Sequence, residues 1–163
     1  MKQAPEGSIH WDELPYDEPK QGEEVSGYVV GAIEAFTGEK VAENLVECLG
    51  NQETLLDSFQ ASAESIMKRY NDDVVDGVAH LRTVYMGLES AVEGCKKETQ
   101  TLTQGVSAKI TKVDENTILT NLADKKNHVE LLMAKMKMTD VAHEFDQYGV
   151  YLGELYLTLA ATQ

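Results

Sequence analysis
Val74, Val78, Leu81, Tyr85, Leu88, Val92 and Cys95 follow one another at steps of 4, 3, 4, 3, 4 and 3. That spacing puts all seven on one stripe of a helix. The same period recurs along most of the chain. Tyr28, Ala32, Ile33 and Phe36 supply the face of a helix over 23–36. Val41, Leu45 and Cys48 supply that of 39–49, with Gly50 as its stop. Leu55, Leu56, Phe59, Ala63, Ile66, Met67 and Tyr70 mark 52–70, capped by Asn51. Asn71-Asp72 reads as the cap of the central helix, which runs to Gly94-Cys95.

Beyond Cys95 the pattern thins without vanishing. Leu102, Val106, Ile110 and Val113 mark a polar, Thr-rich helix. Asp114 caps a long helix to about Lys137, whose face is Ile118, Leu122, Val129, Leu132 and Met136. Thr139-Asp140 reads as the last cap, before Phe145, Tyr148, Leu152, Leu155 and Leu159. No stretch sustains the alternation of a strand. Proline occurs only at positions 5, 15 and 19, so nothing of that kind breaks a later helix. The pattern predicts an all-α, single-domain bundle of six to seven helices over 23–163. Residues 1–22 read as an extended acidic arm.

Charge narrows the partners. The chain has 28 acidic and 14 basic residues, a net charge of −14. A phosphate backbone would be repelled, which argues against nucleic acid as a partner. No apolar run reaches the roughly 18 residues of a membrane span. The N-terminus has no apolar core of a signal peptide, and Met1 is read as a start placed on a mature, exported chain.

Catalytic and metal motifs are absent. His10, His80, His128 and His143 form no HxxxH, HExxH or ExxH set. Asn71–Gly77 resembles the start of a calcium loop but lacks the glutamate at the twelfth position. Neither a GxSxG, a P-loop nor a GxGxxG stretch occurs. The expectation is a protein that is not an enzyme and uses no metal or cofactor.

Two features carry more content. The two cysteines, Cys48 and Cys95, each close an apolar helical series beside a glycine. They are either buried free thiols in a reducing compartment or one structural disulfide in an oxidising one. We expect the disulfide, and with it a secreted or lumenal location. In the arm, Trp11, Leu14 and Tyr16 are large apolar residues among acids, and they read as a partner-binding segment. A third group, Tyr70, Tyr85, Met133, Met136, Tyr148 and Tyr156, has the polarisable side chains that can line an apolar ligand pocket. At helical spacing such residues are more often core.

The layout resembles a group of small, secreted-type, two-cysteine helical proteins of ciliated protozoa. The matching pieces are Gly27–Gly31, Val46-Glu47-Cys48-Leu49, Asp76-Gly77 through Gly94-Cys95, and Phe145–Gly153. The resemblance implies an exported, disulfide-containing helical protein and supplies no catalytic residues. The expected function is therefore structural or assembly-related. The bundle would engage itself or a protein complex through its arm and outer faces. The alternative is a carrier of an apolar small molecule among the helices.

Overall fold
In a computed structural model that describes residues 21–50 and 52–162, the helical period becomes nine α-helices. They are α1 (Gln21–Thr37), α2 (Leu45–Leu49), α3 (Glu53–Met67), α4 (Asn71–Met86), α5 (Leu88–Ala91), α6 (Lys97–Ser107), α7 (Glu115–Asp124), α8 (Lys126–Val141) and α9 (Phe145–Ala160). All regular structure among the described residues is helical. Trp11, Leu14, Tyr16 and the expected cap Asn51 lie outside the described residues.

The helix count exceeds the expected six to seven because two long helices are each divided. The central one breaks at Gly87, which ends α4 and opens α5. Its N–H is shared between the carbonyls of Thr83 and Val84, both at 3.1 Å, and glycine there weakens the helix relative to alanine. The expected helix over 114–137 breaks at Lys125, whose φ of −113° and ψ of 29° are not helical. The stripe survives its break: all seven residues from Val74 to Cys95 are buried. Only 45–49 of the expected 39–49 helix is helical.

Two of the expected caps are corrected and one holds. Asn71 and Asp72 lie inside α4, whose N-cap position is Tyr70 and makes no side-chain capping bond. Thr139 and Asp140 are in the last turn of α8, and the chain turns instead at Ala142–Glu144, where His143 has a φ of 58°. Asp114 does cap α7, accepting from the Thr117 N–H at 2.8 Å.

The closest pairing in the bundle is α1 with α9. Gly27 lies against Phe145 and Asp146, Gly31 against Gly149 and Val150, and Gly153 against Ala35. The register rises together on both helices, so α1 and α9 run parallel with their backbones in contact. This pair, rather than the Val74–Cys95 stripe, is the tightest seam. α8 precedes α9 through a three-residue turn and returns antiparallel to it. α3 and α4 form a second hairpin, with Gly77 seated against Ser62 and Ile66. The N-terminal ends of α1 and α9 and the C-terminal end of α8 thus share one end of the bundle.

Cys48 and Cys95 are joined in a disulfide, with their Cα atoms 4.9 Å apart. It ties the α2 region to the segment between α5 and α6. Asn121 of α7 is fully buried and donates to the carbonyl oxygens of Leu159 and Ala161, both at 2.8 Å. These are acceptors that the end of α9 leaves without helical partners.

Candidate functional site
Most of the expected pocket residues are core. Rings meet in a continuous series from α9 through α1, α3 and α4 and back. Phe145 contacts Tyr28, Tyr28 contacts Phe59 and Tyr148, Phe59 contacts Tyr85, and Tyr85 contacts Phe36 and Tyr156, with centroid separations of 4.9 to 6.2 Å. Edge-to-face contacts dominate, the geometry that ring quadrupoles favour. Tyr85, Tyr148 and Tyr156 belong to this series, and Met133 and Met136 are fully buried on the inner side of α8. Tyr70 stands apart from the other five: it is 73 % exposed at the α3–α4 turn.

Burial pushes the phenol pKa of Tyr28, Tyr85, Tyr148 and Tyr156 above the ordinary value. The hydroxyls of Tyr85 and Tyr156 find no hydrogen-bond partner among the described residues. None of the six expected pocket residues lines the groove of about 520 Å³ beside α6. Nor do they line the clefts of about 310 to 460 Å³ elsewhere on the surface.

The 520 Å³ groove lies next to the disulfide, between Glu39–Glu43 and the start of α6. Glu43 organises its floor. One carboxylate oxygen accepts from the Lys96 N–H at 3.0 Å and from the Thr99 hydroxyl at 2.7 Å. Lys96 makes no side-chain cap of its own, so Glu43 supplies the acceptor for the N-terminus of α6 from more than fifty residues away. Glu43 and the sulfur atoms of Cys48 and Cys95 lie within 4.8 Å of one another. The sulfurs are bonded to each other and offer no thiolate, which is the form that ligates metal. The groove is therefore a capped helix start rather than a metal centre.

The feature that sequence reasoning missed is the outer side of α8. Leu131, Ala134, Met138 and Val141 follow at steps of 3, 4 and 3 and form a second apolar stripe. It faces away from the buried Val129, Leu132, Met133 and Met136. Leu131 is 50 %, Met138 71 % and Val141 82 % exposed. A helix apolar on both sides is ordinarily covered on both sides. The signal was in the sequence, since these residues are out of phase with the inner face, but only one face of the helix was assigned.

Charge frames this stripe. At about 100° per residue, Lys135 and Lys137 stand on opposite flanks of it. The Lys135 ammonium lies 5.4 Å from the centre of the Tyr151 ring. At the far end, Glu130 receives Arg69 from the α3–α4 turn, with N–O distances of 2.8 to 3.0 Å. Arg69 holds the Glu130 carboxyl below its usual range. The outer side of α8 is thus apolar in the middle and locally cationic in a strongly acidic protein. No protein-family model, curated protein or solved structure matches the chain.

Proposed function
We propose that the protein is a non-enzymatic assembly module, a disulfide-tied bundle that associates through the outer side of α8. The observation that carries this reading is the exposed stripe Leu131–Ala134–Met138–Val141 on a helix whose other side is already fully packed. Large exposed apolar side chains aligned on one element mark association surfaces. The interlocked rings of Tyr28, Phe36, Tyr85 and Tyr156 make this the preferred reading over a carrier, because they occupy the space where an apolar ligand would lie. The disulfide supports an extracellular or lumenal setting, where such bonds persist. The resemblance to exported two-cysteine proteins of ciliates points the same way.

Sedimentation of the full chain over a wide concentration range tests the reading. The mass is expected to rise with concentration in the wild type. Leu131→Glu and Met138→Glu should hold it at monomer, while Met86→Glu, at an exposed residue of α4, should not. A wild-type mass that stays monomeric throughout would overturn it.

A further inference from the structure
Among the helices of the described residues, α8 alone carries more basic than acidic residues. It holds Lys126, Lys135 and Lys137 against Glu130 and Asp140, a net of +1 in a chain of −14. Neither acid offsets the lysines at the outer stripe. Arg69 holds Glu130 in an ion pair at 2.8 Å. Asp140 lies round the helix, within electrostatic reach of Glu24 on α1. Lys135 is held at the stripe's edge by its contact with the Tyr151 ring. We propose that the stripe of one copy docks on an acidic face of a second copy, away from that copy's own α8, so that association runs head to tail. This rests on the assembly reading above and names the surface that the stripe engages.

The competing arrangement is stripe against stripe across a two-fold axis, the commonest symmetry of homo-oligomers. Charge opposes it in both helix orientations, because Lys135 and Lys137 stand on opposite flanks of the stripe. If two α8 helices pair antiparallel, each flank meets the same flank of the other. Lys135 then faces the partner's Lys135, and Lys137 faces the partner's Lys137. If they pair parallel, opposite flanks meet, and Lys135 faces the partner's Lys137. Like charges set against each other across an interface suppress that pairing. An acidic surface reverses the sign: the lysines meet carboxylates while the apolar stripe leaves water. A second copy offers such a surface, since the chain outside α8 holds 26 acidic and 11 basic residues, the totals of 28 and 14 less the two and three on α8. Each copy then docks through one surface and receives through another, so the contact does not close at a dimer.

Sedimentation of the full chain at fixed salt separates the two arrangements. The wild-type mass should rise past that of a dimer as concentration increases. The double variant Lys135→Gln, Lys137→Gln should need a roughly tenfold higher concentration to associate, from the loss of two charge pairs. Lys109→Gln with Lys112→Gln changes the net charge equally at two exposed residues outside α8 and should have a much smaller effect. Met138→Glu disables the stripe but keeps the acidic faces. It should stay monomeric alone, yet shorten wild-type assemblies when the two are mixed, as a chain terminator.

A wild-type mass that levels off at the dimer overturns the head-to-tail arrangement and leaves the assembly reading standing. Tighter association in Lys135→Gln, Lys137→Gln does the same, because it is the response of two stripes relieved of facing lysines. So does a wild-type mass that Met138→Glu leaves unchanged. A wild type that is monomeric at every concentration overturns both the assembly reading and the head-to-tail contact built on it.

Discussion

Gly149 of α9 lies against Gly27 of α1 so closely that a Cβ on it would stand 2.7 Å from the Gly27 carbonyl oxygen and 2.9 Å from that of Tyr28. Both obstacles are backbone, which cannot swing aside as a side chain can. Gly149→Ala is therefore expected to force the helices apart and destabilise by about 1–3 kcal/mol. Gly87 provides the contrast. Its nearest obstacle is at 3.5 Å and its φ is −86°, so Gly87→Ala should be neutral or stabilise by up to about 1 kcal/mol. Urea unfolding of the two variants measures both. Equal costs would mean that the α1–α9 seam is not set by its glycines.

The Tyr85 and Tyr156 rings meet edge to face at 5.2 Å, and neither hydroxyl has a protein partner among the described residues. A buried polar group without a partner costs about 1–3 kcal/mol. Tyr85→Phe and Tyr156→Phe keep the rings and remove that cost, so each should raise the unfolding free energy by about 1 kcal/mol or more. Since the rings touch, the double variant should not show the sum. A fall in stability in either variant would show that its hydroxyl is satisfied.

Asn121 binds the end of α9 to α7 through two hydrogen bonds. Asn121→Ala leaves the Leu159 and Ala161 carbonyls without that donor and should cost about 1–3 kcal/mol. Amide hydrogen exchange should accelerate first in the last turn of α9. Acceleration spread evenly over the molecule would argue that the loss is one of packing.

The disulfide closes a loop with a sequence separation of 47. Restricting the unfolded chain by that loop is worth about 4 kcal/mol in the entropy model, which sets the upper size of the effect. Cys48→Ser with Cys95→Ser is expected to lose most of it. Mass mapping without reductant should recover the cross-linked peptide pair from the native protein, and two free thiols there would refute the linkage.

Glu24 has its carboxyl pKa raised, first by burial and second by the nearby Asp140. A raised pKa in the folded state means the folded protein binds the proton more tightly than the unfolded chain. The group therefore favours folding fully below its unfolded pKa, and this contribution is lost as pH rises through the folded value. At neutral pH the ionised carboxylate is held in an unfavourable place. Glu24→Gln should raise the melting temperature at pH 7 and make little difference below pH 4.5, the ordinary value for this group. A gain that persists unchanged into acid would assign the effect to something other than ionisation.

Helical period was legible because it depends only on which positions are apolar, and burial of Val74 through Cys95 follows from it. The helix breaks were less so. Gly87 and Lys125 each interrupt a stripe whose phase continues across them, and a periodicity argument averages over a single residue. The cap from Glu43 to α6 and the tie from Asn121 to α9 join residues 38 to 56 positions apart. No local spacing encodes such pairs. The outer stripe of α8 was written in the sequence but went unassigned, because its meaning depends on which side of α8 meets α9.

By itself, then, the sequence determined the all-helical class, the buried stripe, the acidic balance and the presence of two cysteines on helical faces. These depend on composition and on near neighbours along the chain. The tertiary structure decided that α1 and α9 form the tightest seam, because only in three dimensions do Gly27, Gly31 and Gly149 come to share one surface. It also placed the two sulfurs within bonding distance, and it packed one side of α8 while leaving Leu131, Met138 and Val141 outward. Burial is a property of the whole packed molecule. A stripe of apolar residues becomes core or contact surface only once its neighbours have taken their places.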